Sequence, residues 1–210
     1  MAEPTILNAS GMSRLTLGSV VSAKVGDLIG HDGTNWVLAD ADARVPAQFI
    51  AMESVAAGGN VAVCQAGALY DADAPYTAGA DQYLSATAAA HAGTIPALST
   101  TLTLAQRIGK AVATDTIVFD LTPRGPTVLR GQATVDPASL GAASVANTAV
   151  TVTGVLSGDV VEPIPPAAFE AVAVQSAIAS ANTVTLRLVN GSAGAIDPAS
   201  ATWSFYVARY

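Results

Sequence analysis

The chain has 210 residues, 51% of them hydrophobic and only 12% charged, with a formal net charge of −7. The charged share is about half of that usual in soluble domains, so the surface is easier to keep in solution if much of it is buried between subunits. The negative charge argues against a general affinity for nucleic-acid phosphates or for anionic membranes. The length allows one large domain or two small ones, each with its own core.

The single cysteine, Cys64, cannot form a disulfide within the chain, and zinc sites built on cysteine clusters are excluded. Its neighbours in Val61–Cys64 are apolar, which favours a small buried side chain. No basic segment followed by an apolar core begins the sequence, so we expect no secretion signal. Residues 167–181 are rich in Ala and Val, but Glu170 and Gln175 argue against a membrane span there. These features predict a soluble protein made in a reducing compartment.

Residues 1–122 contain short β-rich runs separated by frequent turn signals, a pattern typical of a barrel or a sandwich. In the clearest hairpin, Gly26–Leu38, Asp32-Gly33 favours a tight turn and Trp36 returns as a bulky cross-strand partner. Residues 70–106 are expected to form a long surface excursion with one strand, and helix is weakly signalled throughout. The predicted strands are Thr5–Asn8, Arg14–Leu17, Val20–Lys24, Leu28–His31, Asn35–Leu38, Ala47–Glu53, Asn60–Cys64, Ala66–Leu69 and Gln82–Ser85.

A strand pair closes this first domain. Arg107–Val112 and Thr116–Leu121 are β-rich, and the second run places Ile117, Phe119 and Leu121 on one face. Pro123–Pro126 follows almost at once, and two prolines bracketing a glycine cannot continue a ladder. We therefore predict a first domain at 1–122, a linker at 123–127 and a second domain at 128–210.

The second domain shows period-two alternation in three separate segments, which predicts a half-buried antiparallel sheet. The run Phe169–Ala181 is rich in alanine and would also suit a helix, but its Val172–Val174 core and the Asn182-Thr183 turn favour a strand. Roughly 80 residues with six or seven strands suit a small immunoglobulin-like β-sandwich. The alternating apolar residues are Val150 and Val152, then Val184, Leu186 and Leu188, then Trp203, Phe205 and Val207.

One tetrapeptide, Asp-Pro-Ala-Ser, occurs twice in this domain, at Asp136–Ser139 and at Asp197–Ser200. Each copy predicts a proline turn before a strand. Four shared small residues are thin evidence for an internal duplication.

No set of residues marks a reaction centre. His31 lies beside the hairpin turn, His91 lies in a loop of small residues, and no Gly-x-Ser-x-Gly elbow occurs. The aspartate pairs in Asp40–Asp42 and Asp71–Asp73 lack the rest of a calcium-binding loop and are better explained as solvated turn residues. We therefore predict no enzyme activity, no catalytic or metal site and no cofactor.

Four aromatic residues are candidates for contact with a partner, namely Trp36, Tyr70, Tyr76 and Tyr83. Exposed tyrosines can stack on sugar rings, but packing in a core or an interface is the commoner role of such side chains. The basic residues are scattered, without the interleaving of aromatic and basic side chains that binds single-stranded nucleic acid.

Several short motifs resemble those of virion proteins of tailed bacteriophages, above all the capsid decoration (cement) and head-fibre proteins. In the first domain they are Gly26–Val37, Ala47–Glu53, Tyr83–Ser85 and the strand pair of Gln106–Ala111 with Ile117–Leu121. The second domain resembles β-sandwich modules attached to phage structural proteins, in Gly158–Val161, Pro165–Ala168, Ser180–Arg187 and Ile196–Trp203.

The resemblance implies an all-β fold, with a small barrel-like N-terminal domain that binds the capsid and trimerises, followed by an outward-projecting immunoglobulin-like sandwich. It implies a homotrimer at three-fold or quasi-three-fold positions on the outside of an icosahedral head. The partner would be the major capsid protein, with no nucleic acid and no membrane involved, after synthesis in the cytoplasm of a bacterial host. A receptor- or carbohydrate-binding module at the tail or fibre is the alternative function.

Overall fold

The computed structural model describes residues 4–73, 76–93, 96–122, 126–166 and 172–210. Every element of regular secondary structure within these ranges is a β-strand, so the prediction of an all-β protein is confirmed. In chain order the strands are β1 (Thr5–Ser10), β2 (Ser13–Thr16), β3 (Leu28–His31), β4 (Trp36–Leu38), β5 (Phe49–Ala51), β6 (Asn60–Cys64), β7 (Ala66–Tyr70), β8 (Asp81–Leu84), β9 (His91–Ala92), β10 (Thr103–Leu104), β11 (Arg107–Ala111), β12 (Thr116–Asp120), β13 (Thr127–Val135), β14 (Val145–Thr151), β15 (Val160–Ile164), β16 (Val172–Ser180), β17 (Thr183–Asn190) and β18 (Ala201–Arg209).

The chain forms two compact units. The first consists of Met1–Pro96 and Leu104–Gly125, and the second consists of Ala97–Thr103 and Pro126–Tyr210. Of the linker that we predicted at 123–127, residues 123–125 lie outside the described ranges, and β13 already begins at Thr127.

The first unit contains a six-stranded sheet in the order β1-β7-β12-β11-β8-β9 and a five-stranded sheet in the order β2-β6-β5-β3-β4. The chain passes directly between these sheets at two adjacent corners. Gly11 and Met12 join β1 to β2, and Gln65 alone joins β6 to β7. Gly11 has a φ of 63°, and the backbone N–H of Gln65 donates to the carbonyl of Ser10 at 3.0 Å. Strands that switch sheets at such corners wrap two sheets around one shared interior.

Alternate residues of β12 in the first unit point into its interior. Ile117 and Phe119 of β12, which the sequence predicted to share one face, are both buried. Leu69 of β7 and Ile108 of β11 are buried beside them. A second cluster lies on the five-stranded sheet and contains Leu17, Ala23, Ile29, Ala51, Val61 and Val63.

The second unit contains a four-stranded sheet in the order β10-β13-β18-β15 and a three-stranded sheet in the order β14-β17-β16. The alternation predicted in β17 and β18 is confirmed, because every apolar residue of both alternating sets is buried. The ambiguous alanine-rich run is a strand, β16, from residue 172 onwards, as we predicted; residues 169–171 lie outside the described ranges. The buried sets are Val184, Leu186 and Leu188 in β17 and Trp203, Phe205 and Val207 in β18.

Three local predictions are corrected. Residues 70–106 are not a surface excursion with one strand, because they contain β8, β9 and β10 and bury Leu84, Leu102 and Leu104. Val20–Lys24 is not a strand, because the N–H of Val21 closes a turn on the carbonyl of Gly18 and Ala23 makes only an isolated bridge to Val55. The turn between β3 and β4 has four residues rather than a tight pair. Its Asp32 accepts backbone N–H groups from Thr34 and Asn35, which stabilises the longer turn.

Candidate interaction surface

Trp36 lies at the start of β4 and packs within the first unit. It pairs with His31 across the hairpin, as expected for a bulky cross-strand partner. Its ring meets the rings of His31 and Phe49 edge-on, with centroid distances of 4.9 Å and 5.5 Å. The side chain is half-buried against the core of the five-stranded sheet, so most of its surface is used inside the unit.

The three candidate tyrosines lie on or beside the six-stranded sheet, but not at one place. Tyr70 ends β7, and Tyr76 lies near the same end, where its N–H donates to the carbonyl of Thr114 at 3.0 Å. Burial, with the negative charge of Asp71 adding to it, raises the pKa of the Tyr76 hydroxyl to about 12. Tyr83 lies on β8, and β12 and β11 separate it from Tyr70 by about 14 Å across the sheet.

The outer side of this sheet carries exposed apolar residues in a row. Leu7, Ala68 and Val118 are directly paired across β1, β7 and β12. Leu7, on the edge strand, is 46% exposed, and Val118, two strands further in, is 48% exposed, so two large apolar side chains lie open on one side of the sheet. Tyr70 lies two residues from Ala68 on the same side and is also exposed. We call Leu7, Ala68, Tyr70 and Val118 the apolar face.

The apolar face gives way to charged residues along the same sheet. The row of Val118 continues to Lys110 on β11 and to Asp81 on β8. Asp81 forms an ion pair with Arg107 at 2.8 Å, and both side chains are about half exposed. Exposed pairs of this kind add little stability, so they provide a solvated border to the apolar face.

Sequence reasoning missed three members of this surface, namely Leu7, Ala68 and Val118. Placing Ile117 and Phe119 inward already implies that Val118 points outward, so Val118 could have been found. The exposure of Leu7 becomes visible only when β7 and β12 are known to lie beside β1, because a single short strand does not reveal its neighbours.

The aspartates considered as metal ligands stabilise the turns in which they lie, and the single cysteine is buried. Asp40 accepts the N–H groups of Asp42 and Ala43, and Asp71 accepts the N–H of Asp73. Hydrogen bonds from the backbone N–H groups of Asn35 and Thr34 lower the pKa of the Asp32 carboxyl. Burial raises the pKa of the Cys64 thiol to about 11, which disfavours the reactive thiolate.

Over the described ranges, no group of three or more His, Cys, Asp or Glu side chains is arranged to hold a metal ion. Those ranges also contain no apolar helix of the length that crosses a lipid bilayer. No protein-family model, curated protein or solved structure matches this chain.

Proposed function

We propose that this chain is a structural virion protein, a decoration (cement) protein that binds the outside of an icosahedral phage head as a homotrimer and stabilises it. The observation that carries the proposal is the apolar face on a chain with few charges. Exposed apolar side chains that share one sheet surface are typical of a protein that is buried in an assembly. The short motifs that resemble decoration and head-fibre proteins supply the kind of assembly.

In this proposal the first unit binds the major capsid protein and the other copies in the trimer. Its two sheets meet at the corners near Gly11 and Gln65, which supports a small barrel-like domain. The apolar face is the contact surface, and the ion pair of Asp81 with Arg107 lies at its solvated border. Apolar side chains in the centre with charged residues around them is the usual anatomy of a protein interface.

The second unit projects outward as an immunoglobulin-like sandwich. A four-stranded and a three-stranded antiparallel sheet, with alternating apolar side chains turned inward, support this assignment. A module of this kind adds bulk to the particle surface and does not need to touch the shell.

The stabilising effect comes from multivalency. Three modest contacts in one trimer bind as a unit, because the second and third contacts form at a high effective concentration. Many trimers on one head then resist expansion or rupture together, although each contact alone is weak.

Immunogold labelling of purified virions with an antibody to this chain tests the location. Label spread evenly over the heads is the expected result. Label confined to the tail tip or fibres would overturn the proposal in favour of the receptor- or carbohydrate-binding module. Intact virions without label would overturn both functions.

A substitution in the full-length chain tests the contact surface. Val118→Asp places a charge in the apolar face, at a side chain exposed enough to leave the fold intact. We expect its binding to heads that lack the chain to fall at least about tenfold, because a carboxylate would be desolvated against apolar groups. Ile178→Asp, on an exposed residue of the second unit, is the matched control and should bind like the wild type. Equal binding by Val118→Asp and the wild type would exclude the apolar face as the contact.

A further inference from the structure

The outer side of the four-stranded sheet in the second unit carries an ordered row of three different side chains. Arg130 of β13 pairs with Tyr206 of β18, and Tyr206 pairs with Glu162 of β15. The row therefore has a positive end, an aromatic centre and a negative end. Its members are outward-facing, because Leu129 and Phe205, their neighbours in sequence, are buried in the core.

The charges of this row have no partners of opposite sign within the described parts of the chain. The guanidinium of Arg130 lies over the Tyr206 ring, 5.5 Å from the ring centroid, and its Nε atom is buried without a hydrogen-bond acceptor. Glu162 is exposed and makes no ion pair or hydrogen bond there. A guanidinium without a counter-ion and a free carboxylate on one row are two charges that a single partner can pair.

Exposed apolar residues lie on both sides of the row. In one neighbouring row, Val128 and Val160 lie at the two ends with Ala208 between them. In the other neighbouring row, Ile164 occupies the end on β15. Val160 is 58% exposed, and Val128 and Ile164 are also exposed. The surface thus combines a Tyr, an Arg and aliphatic side chains, the composition of interface centres.

The order of the side chains makes this surface complementary to itself. When two such sheets pack face to face about a two-fold axis that runs along the central strand β18, the ends of every row exchange. Arg130 of each copy then faces Glu162 of the other, and Tyr206 meets its own symmetry mate. The same operation places Val128 over Val160 in the neighbouring row. A two-fold axis along the row would instead place like charges together, so only one orientation is favourable.

We propose that the outer side of the four-stranded sheet pairs two copies of this chain, second unit to second unit, about this two-fold axis. The partner is a second copy because the charge pattern matches its own reverse. The pairing does not depend on where the protein functions. On a decorated head it would join neighbouring trimers, and it would link them above the shell surface.

The size of the surface shows that the pairing is weak. Three strands about 4.8 Å apart and five residues long cover roughly 250 Å² per copy, well below the roughly 800 Å² per partner of a stable interface. Association should therefore need high protein concentration or tethering to a surface. Cross-linking detects it better than chromatography of a dilute sample.

The test uses the full-length chain and a short thiol-to-thiol cross-linker. Ala208→Cys puts a thiol on the proposed axis, while Cys64 is fully buried and does not compete. We expect covalent pairs to form, as a doubling of the monomer or trimer mass. Ala149→Cys, on the outer side of the other sheet, should form at least about tenfold fewer pairs.

Charge reversals then test the orientation in the Ala208→Cys background. Glu162→Arg alone and Arg130→Glu alone should each reduce cross-linking at least about tenfold, because like charges would face each other twice in every pair. Mixing the two variants should restore cross-linking, with one copy of each variant in every pair. In such a pair an all-positive row faces an all-negative row. Arg187→Glu and Asp197→Arg change the net charge by the same amounts at exposed sites elsewhere in the unit and should have no effect.

The mixture also separates a lost contact from a lost fold, because a misfolded variant cannot be rescued by its counterpart. Equal cross-linking of Ala208→Cys and Ala149→Cys would overturn the proposal. Single reversals that cross-link like the parent, or a mixture that fails to restore cross-linking, would also overturn it. None of these results bears on whether the protein binds a phage head.

Discussion

Arg209 and Asp159 form a two-bonded ion pair that ties the last strand of the chain to the turn before β15. Nε of Arg209 donates to Oδ1 of Asp159 at 2.9 Å, and Nη2 donates to Oδ2 at 2.7 Å. Nη2 also donates to the carbonyl of Gly154 at 3.0 Å, while Oδ2 accepts the N–H of Leu156. The carboxylate is only 3% exposed and the guanidinium 28%, so water screens this pair less than the surface pairs of the first unit.

Asp159→Asn should lower the free energy of unfolding by about 2 kcal/mol, because a partly buried guanidinium would lose its counter-charge. Denaturant unfolding of both proteins at pH 7 measures the difference. Asp81→Asn removes an exposed ion pair and should cost less than about 1 kcal/mol. Equal losses in the two variants would contradict the special role of the buried pair.

The contribution of Asp159 should depend on pH in a defined direction. Its hydrogen bond to Arg209 lowers the pKa of the carboxyl below the ordinary value of 3.8. A group whose pKa is lower in the folded state stabilises above its unfolded pKa and loses that effect as the pH falls through its folded pKa. The difference between the wild type and Asp159→Asn should therefore be constant above about pH 5 and shrink below about pH 4. A difference that persists unchanged at pH 2 would contradict this assignment.

Substitution of the buried amide of Asn190 should destabilise the second unit more than substitution of its exposed polar residues. Asn190 is fully buried, and its Nδ2 donates to the carbonyls of Leu140, Gly141 and Gly194. Its Oδ1 accepts the N–H and the hydroxyl of Ser192. Asn190→Leu leaves these groups unsatisfied and should cost roughly 2–4 kcal/mol.

Calorimetric or denaturant unfolding measures the effect of Asn190→Leu, with Asn147→Leu as the control. Asn147 is exposed on β14 and makes no hydrogen bond through its side chain within the described ranges. Its substitution should change stability by less than about 0.5 kcal/mol. If both variants lost the same stability, the buried network would not be the cause.

In the predicted hairpin, the backbone of Gly30 lies so close to the backbone of Pro46 that only glycine fits at position 30. A Cβ at Gly30 of β3 would overlap the carbonyl oxygen of Pro46 and a methyl group of Val45. Because the first of these is backbone, Gly30→Ala should destabilise the first unit by roughly 1–3 kcal/mol. Gly191→Ala, where a Cβ meets nothing within 4 Å, is the control and should change stability by less than about 0.5 kcal/mol. Thermal unfolding of each variant measures the two changes in stability, and equal changes would contradict the steric explanation.

The packing of Ala97–Thr103 in the second unit should hold the two fragments together after proteolytic cleavage between residues 103 and 126. Leu102 of this segment is fully buried, its N–H donates to Thr153, and the carbonyl of Ser99 accepts the N–H of Gln132. After cleavage at a protease site inserted at 123–125, the two fragments should therefore co-elute in size-exclusion chromatography. The same cleavage in a Leu102→Asp variant should release them, because a buried carboxylate would replace the anchor. Separation of the wild-type fragments would contradict the described pairing.

The all-β fold was predictable because its strongest signals are local. Val184, Leu186 and Leu188 alternate with polar residues, and the sheet buries all three. Leu28–His31 and Asn60–Cys64 were predicted with the bounds that the structure shows. Val20–Lys24 has the same composition of β-formers, but Val20 is exposed and the backbone turns there, so composition alone misled the prediction.

The surfaces were less predictable because they depend on which strands become neighbours. The row of Arg130, Tyr206 and Glu162 joins three strands that are distant in sequence, and none of the three residues stood out alone. The pairing of residues 97–103 with the second unit was also invisible, since Ser99-Thr100-Thr101 shows no apolar period. In both cases register and topology, rather than residue type, create the feature.

The assignment of Ala97–Thr103 to the second unit has a consequence for inheritance. The chain enters the second unit at residue 97, leaves it after 103 and returns at 126, so the gene does not encode this unit as one continuous block. Genetic exchange that transferred only the coding sequence for Pro126–Tyr210 would deliver a sandwich without the segment that contains the buried Leu102. The two units are therefore expected to be inherited together, because a junction before residue 97 would divide the first unit and a junction between residues 103 and 126 would divide the second.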